Sequence, residues 1–106
     1  MKNILIIGAG KSSSALIKYL LDTSEEEKLS LTIGDISTEN AHKLINNHKN
    51  ATAIVLDVFD KEQREKQIQK ADLVISMLPA RFHADVAKDC ITFGKHMVTA
   101  SYISDE

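Results

Sequence analysis

The sequence predicts an alternating α/β fold, a doubly wound parallel sheet of about five strands in the order 3-2-1-4-5 with helices on both faces. Three observations carry this. An unbroken apolar run, Ile4 to Ile7, stops at Gly8-Ala9-Gly10 and passes at once into a helical spacing of Ala15, Leu16, Ile17, Leu20 and Leu21. Apolar runs of strand length then recur along the chain, separated by stretches of helical period. The first run is apolar on both faces, as a strand covered on both sides must be.

Taken in order, Lys2 to Ile7 reads as the first strand and Lys11 to Asp22 as the first helix, with Thr23 to Lys28 as a charged connection. Leu29 to Ile33 is the second strand and ends in Gly34-Asp35. Ser37 is placed to cap a second helix that carries Ala41, Leu44 and Ile45 on one face. Thr52 to Leu56 is the third strand. Asp60 and Gln63 have the spacing of a capping box for a third helix, nearly all polar, which offers mainly Ile68 and Ala71 to a core. Asp72 to Leu78 is the fourth strand, stopped by Pro79, the only proline. Phe82, Val86, Ala87, Cys90 and Ile91 share a helical face, so a fourth helix runs from Phe82 to Phe93 and Gly94 closes it. His96 to Thr99 is the fifth strand. Ala100 to Glu106 carries no pattern.

Composition excludes several classes. A chain of 106 residues is one domain with room for a core, and a net charge of −2 gives no reason to expect nucleic acid or an anionic membrane as partner. The single Cys90 cannot form an internal disulfide, which fits a reducing cytoplasm. The apolar run at the N-terminus is too short for a signal peptide or a membrane span. No His or Cys partners His83 or His96 at ligand spacing, so no metal site is expected, and Cys90 reads as core.

The chemistry is concentrated at strand ends. Gly8, Gly10 and Ser13 follow the spacing G-x-G-x-x-G, the dinucleotide-binding fingerprint of a Rossmann-like fold, with Ser in place of the third glycine. A turn of this kind presents backbone N–H groups at a helix N-terminus, where a pyrophosphate is stabilised. Gly10-Lys11-Ser12 also resembles the end of an ATP-binding loop, but that loop requires Gly where Leu5 stands. Asp35 ends the second strand where this fold places an acid for the ribose hydroxyls. No Arg follows it, only Ile36 and Ser37, so NAD is expected and NADP is less favoured. Against that stands the ordinary reading of Asp35 as a solvated turn residue. Asp57, at the end of the third strand, is divided evenly between binding and capping a turn. Ser101 and Tyr102 lie at the same sheet edge.

Two longer stretches resemble a known family. Val74-Ile75-Ser76-Met77-Leu78-Pro79-Ala80-Arg81-Phe82-His83 and Gly94 to Ser104, with its Val98-Thr99-Ala100-Ser101-Tyr102-Ile103-Ser104, look like the saccharopine dehydrogenase family, as does Leu56-Asp57-Val58. The resemblance spans the chain and implies that it is the N-terminal NAD(P)-binding domain of a longer oxidoreductase of lysine metabolism. Such an enzyme transfers hydride at a secondary amine or imine C–N bond of a small amino-acid substrate. It further implies cofactor contacts at Lys11, Ser12, Ser13, Asp35, Ile36, Ser37, Asp57, Val58, Leu78, Thr99 and Ala100, and substrate contacts at Ala100 and Ser101. Catalytic acid–base residues are expected outside these residues, so this piece alone should be inactive. NADP-using relatives carry an Arg where Ile36 stands.

The rival function is a regulatory NAD-binding module like those gating potassium transport, which shares the glycine turn and the acid but catalyses nothing. A methyltransferase fold is disfavoured because Ser76-Met77-Leu78-Pro79 offers no matching motif. The open edge of the fifth strand also allows a homodimer.

Overall fold

The computed structural model describes residues 2–8, 14–36, 38–45, 48–77 and 83–99. Within them five strands alternate with four helices: β1 (Lys2–Ile7), α1 (Ser14–Glu27), β2 (Leu29–Asp35), α2 (Thr38–Ile45), β3 (Ala51–Val55), α3 (Lys61–Lys70), β4 (Leu73–Ser76), α4 (His83–Thr92) and β5 (His96–Thr99). All strand pairs are parallel and the sheet order is β3-β2-β1-β4-β5, as expected.

β1 is the axis because it is apolar on both faces. Ile4 and Ile6 join Ile17, Leu21, Leu31, Ile33, Ala41 and Ile45 on the side of α1 and α2. Leu5 and Ile7 join Leu56, Ile68, Val74, Val86 and Cys90 on the side of α3 and α4. The alternation of a strand thus splits one run of four residues between two cores.

α1 runs on through the expected connection to Glu27. Three consecutive glutamates at a helix C-terminus oppose the helix dipole. Tertiary ties offset this. Ser24, fully buried, donates to the Leu21 carbonyl and accepts from Asn50 Nδ2, while Lys49 pairs with Glu25. Hydrogen-bonded to it, the Lys49 ammonium holds the Glu25 carboxyl below its ordinary range. Lys28, with φ of 55°, then ends the helix.

α3 is capped as its sequence indicates: Asp60 Oδ1 accepts from the Gln63 N–H at 3.2 Å. α4 closes in a Schellman arrangement, with the Gly94 N–H on the Ile91 carbonyl, the Lys95 N–H on the Cys90 carbonyl and Gly94 at φ 67°. Gly94→Ala should lower stability by about 1–2 kcal/mol, since a Cβ at that φ is strained although no atom of the described residues lies within reach to clash. Chemical denaturation measures this, and an unchanged midpoint would show that the turn relaxes.

Two expectations about helix faces fail. Ile91, expected to be apolar-facing, is 82% exposed, whereas Val86 and Cys90 are buried. Ile91 is one residue beyond Cys90, about 100° round the helix, which carries it off the narrow buried stripe. Arg64, in a helix expected to offer mainly Ile68 and Ala71 to a core, is only 8% exposed. Among the described residues no helix is long and apolar enough to cross a membrane.

Candidate functional site

Parallel pairing brings the C-terminal ends of the strands to one edge. Ile7 stands level with Gly34 on one side and Ser76 on the other, and Asp35 stands level with Val55. Hydrogen bonds continue the ladder past the strand ends: Gly8 N–H to the Gly34 carbonyl at 2.8 Å, Met77 N–H to the Ile7 carbonyl at 2.8 Å, and Leu56 N–H to the Asp35 carbonyl at 2.9 Å. Gly8 has φ of 99°, so the chain turns sharply there in a conformation that an L side chain resists.

A cavity of about 150 Å³ opens at this edge, lined by Ile7, Gly8, Gly34, Asp35, Ile36, Leu56, Val58 and Phe59. Its walls are mostly apolar, and among the described residues Asp35 is the one ionisable side chain lining it. Ile36 and Phe59 stand 67% and 65% exposed, leaving apolar surface at its mouth for a flat ring to cover. The arrangement can hold an apolar ring system and offer a carboxylate to a neighbouring diol. A second depression, of about 170 Å³, lies beside the start of β1, lined by Asn3, Ile4, Leu5, Thr32, Gln67, Lys70 and Ala71. It lies at the opposite end of β1 from Gly8, and no acid lines it among the described residues.

Of the expected site residues, the structure brings Gly8, Asp35, Ile36 and Val58 together on this cavity. Asp57 is not among its lining residues. Its Oδ1 accepts from the Phe59 N–H at 3.0 Å, so Asp57 caps the turn after β3. Thr99 ends β5 opposite Ser76. Gly10, Lys11, Ser12, Ser13, Ser37, Leu78, Ala100, Ser101 and Tyr102 lie outside the described residues, as do Pro79 and Phe82. Among the described residues no group of three or more His, Cys, Asp or Glu could hold a metal ion. Burial, reinforced by the neighbouring Asp89 charge, pushes the Cys90 thiol up, which keeps it protonated in the core.

Two further residues of the site were not foreseen. Gly34 is needed because a Cβ there would sit 2.8 Å from Leu56 Cδ2 and 2.9 Å from Leu56 Cβ. A glycine inside a strand pattern is the signal for such a close approach. Phe59 had only its place in the turn after β3 to mark it.

The comparisons with known proteins agree with this fold. Residues 4–106 match the model of the saccharopine dehydrogenase NADP binding domain family. The saccharopine dehydrogenase [NADP(+), L-glutamate-forming] of Schizosaccharomyces pombe is 36% identical over 98% of this chain and 22% of its own length. An alpha-aminoadipic semialdehyde synthase of Arabidopsis thaliana is 34% identical over 97% of the chain and 11% of its own length. Among solved structures, apo saccharopine dehydrogenase (L-Glu forming) of Saccharomyces cerevisiae superposes with a TM-score of 0.84 at 31% identity, covering 96% of this chain and 22% of that one. The chain therefore spans about a fifth or less of the length of these relatives. The names of the family and of the fission yeast relative say NADP, which leans away from the expectation of NAD as the leading cofactor. The chain belongs to the saccharopine dehydrogenase NADP-binding-domain family.

Proposed function

We propose that this chain is the dinucleotide-binding domain of a saccharopine dehydrogenase-like oxidoreductase, and that the cavity at the ends of β1, β2 and β3 receives the adenosine half of the dinucleotide. The observation that supports it most is the placement of Asp35 on the rim of an apolar cavity, one strand away from the Gly8 turn. Ile36, Val58 and Phe59 would flank the adenine, and the Asp35 carboxylate would accept from the ribose hydroxyls. The proposal extends to Gly10, Lys11, Ser12 and Ser13 at the pyrophosphate, to Ser37 beside the ribose, to Leu78, Thr99 and Ala100 along the nicotinamide half, and to Ala100 and Ser101 at an amino-acid substrate. When bound, the dinucleotide supplies a hydride donor or acceptor. This domain holds and orients it, while the acid–base residues are assigned to the rest of the enzyme.

Relatives' names support NADP. The residues of this chain support NAD, because a carboxylate at Asp35 repels a 2′-phosphate and Ile36 offers no cation to receive one. We assign NAD on that local ground. Calorimetric titration with both dinucleotides tests it: tighter NAD binding is expected, and equal or tighter NADP binding overturns the assignment. Asp35→Ala should weaken NAD binding by about 1.5–3 kcal/mol, the range for hydrogen bonds to a charged group, with little change in melting. A large drop in melting with NAD affinity intact would instead make Asp35 a structural cap. The regulatory-module reading is disfavoured by the family match across residues 4–106.

A further inference from the structure

Arg64 lies in the middle of α3, four residues before the fully buried Ile68, in a helix whose other charged residues face solvent or its margin. Its Nε donates to Asp89 Oδ2 of α4 at 2.5 Å, and its Nη1 donates to the Val58 carbonyl at 2.8 Å. The exposed Asp85 carboxylate stands 4.0 Å from the same Nη1. One planar guanidinium thus joins three elements: α3, α4 and the turn after β3.

That turn forms part of the cavity that Asp35 also lines. Leu56, Val58 and Phe59 line it. Inside the turn the Asp60 N–H bonds the Asp57 carbonyl, the Phe59 N–H bonds Asp57 Oδ1, and Gln63 Oε1 accepts from the Asp57 N–H. These bonds lie within the turn or reach α3. Arg64 adds a tie that runs on to α4, from the backbone between two lining residues to Asp89.

A buried ion pair contributes little that two well-packed apolar side chains would not. What Arg64 adds is a charged donor to a backbone carbonyl at the site. We propose that Arg64 is a positioning residue for the adenosine half of the dinucleotide. It holds the Val58–Phe59 turn against α4, so that the apolar wall is set before the nucleotide arrives. This rests on the reading of the cavity given under Proposed function.

The test uses two variants and a readout that needs no nucleotide. The double variant Arg64→Met with Asp89→Leu removes both charges and keeps apolar volume. Arg64→Lys keeps the charge against Asp89 but loses the planar fork. Each is compared with the unmodified protein in thermal melting, in titration with NAD and with AMP, and in amide hydrogen exchange at Phe59 and Asp60. Both variants should stay folded, with melting lowered only as far as the Val58 carbonyl's lost donor requires, exchange at the turn should quicken, and affinity for both AMP and NAD should fall about tenfold, the size of a lost contact coupling. Native-like affinity in a variant that stays folded overturns the proposal and makes Arg64 structural only, and unchanged exchange at Phe59 and Asp60 overturns it on its own. If the double variant does not fold, Arg64→Lys decides by the same criteria. If the unmodified protein binds neither AMP nor NAD, the cavity reading fails and takes this one with it, whereas a failure of the positioning role alone leaves wild-type binding intact.

Discussion

Arg64→Ala is expected to destabilise the domain by about 3–5 kcal/mol, the cost of stranding one partner of a buried ion pair. Asp89 is 6% exposed, so with the guanidinium gone its carboxylate has no ready access to water. The Val58 carbonyl loses its donor in the same step. Urea denaturation followed by circular dichroism gives the number. Adding Asp89→Leu should restore much of the loss, because the stranded charge is then removed as well. If Arg64→Ala costs under about 1 kcal/mol, the pair behaves like an exposed surface pair and the burial argument fails.

Gly34→Val is expected to cost about 3 kcal/mol, the upper end for overpacking a well-filled interior. The first added carbon already lies 2.8 Å from Leu56 Cδ2, and two further methyl groups have still less room. Leu56→Ala should rescue only part of the loss. It removes the Cδ2 conflict, but the Leu56 Cβ at 2.9 Å remains. Thermal melting of the three variants checks this. Full rescue would show that the side chain alone opposes the valine, and a negligible loss would show that the turn after β3 can move aside.

Much of the fold could be read from the chain because its local signals agree. Ile4 to Ile7 is apolar on both faces and does become the strand shared by both cores. Asp60 with Gln63, and Gly94, encode helix ends through bonds made within a few residues, so spacing is enough to find them. Asp35 and Gly8 meet because parallel strands carry their C-terminal ends to one edge. Where the outcome depended on a distant partner, the chain was opaque. Arg64 looks like any charged residue of a polar helix until Asp89, in another helix, closes over it. Glu25 to Glu27 look like a loop until Lys49 and Asn50 meet the end of α1. Asp57 was divided between binding and capping because both use the same carboxylate, and the bond from the Phe59 N–H shows the capping use.

The position of β1 also governs the order in which the domain can assemble. Its pairing with β2 spans one short excursion through α1, but its other edge waits for β4, and the Asn3–Asp72 bond at that seam joins residues 69 apart. Closing a loop of that length costs entropy before any contact rewards it. The half from β1 to β3 is therefore expected to gather first, with one edge of its most apolar strand still bare. During synthesis that edge is open to any other extended chain until β4 has left the ribosome. Pulse-labelled hydrogen exchange during refolding should protect β2 amides before those of β4. Simultaneous protection would mean that the two halves condense together.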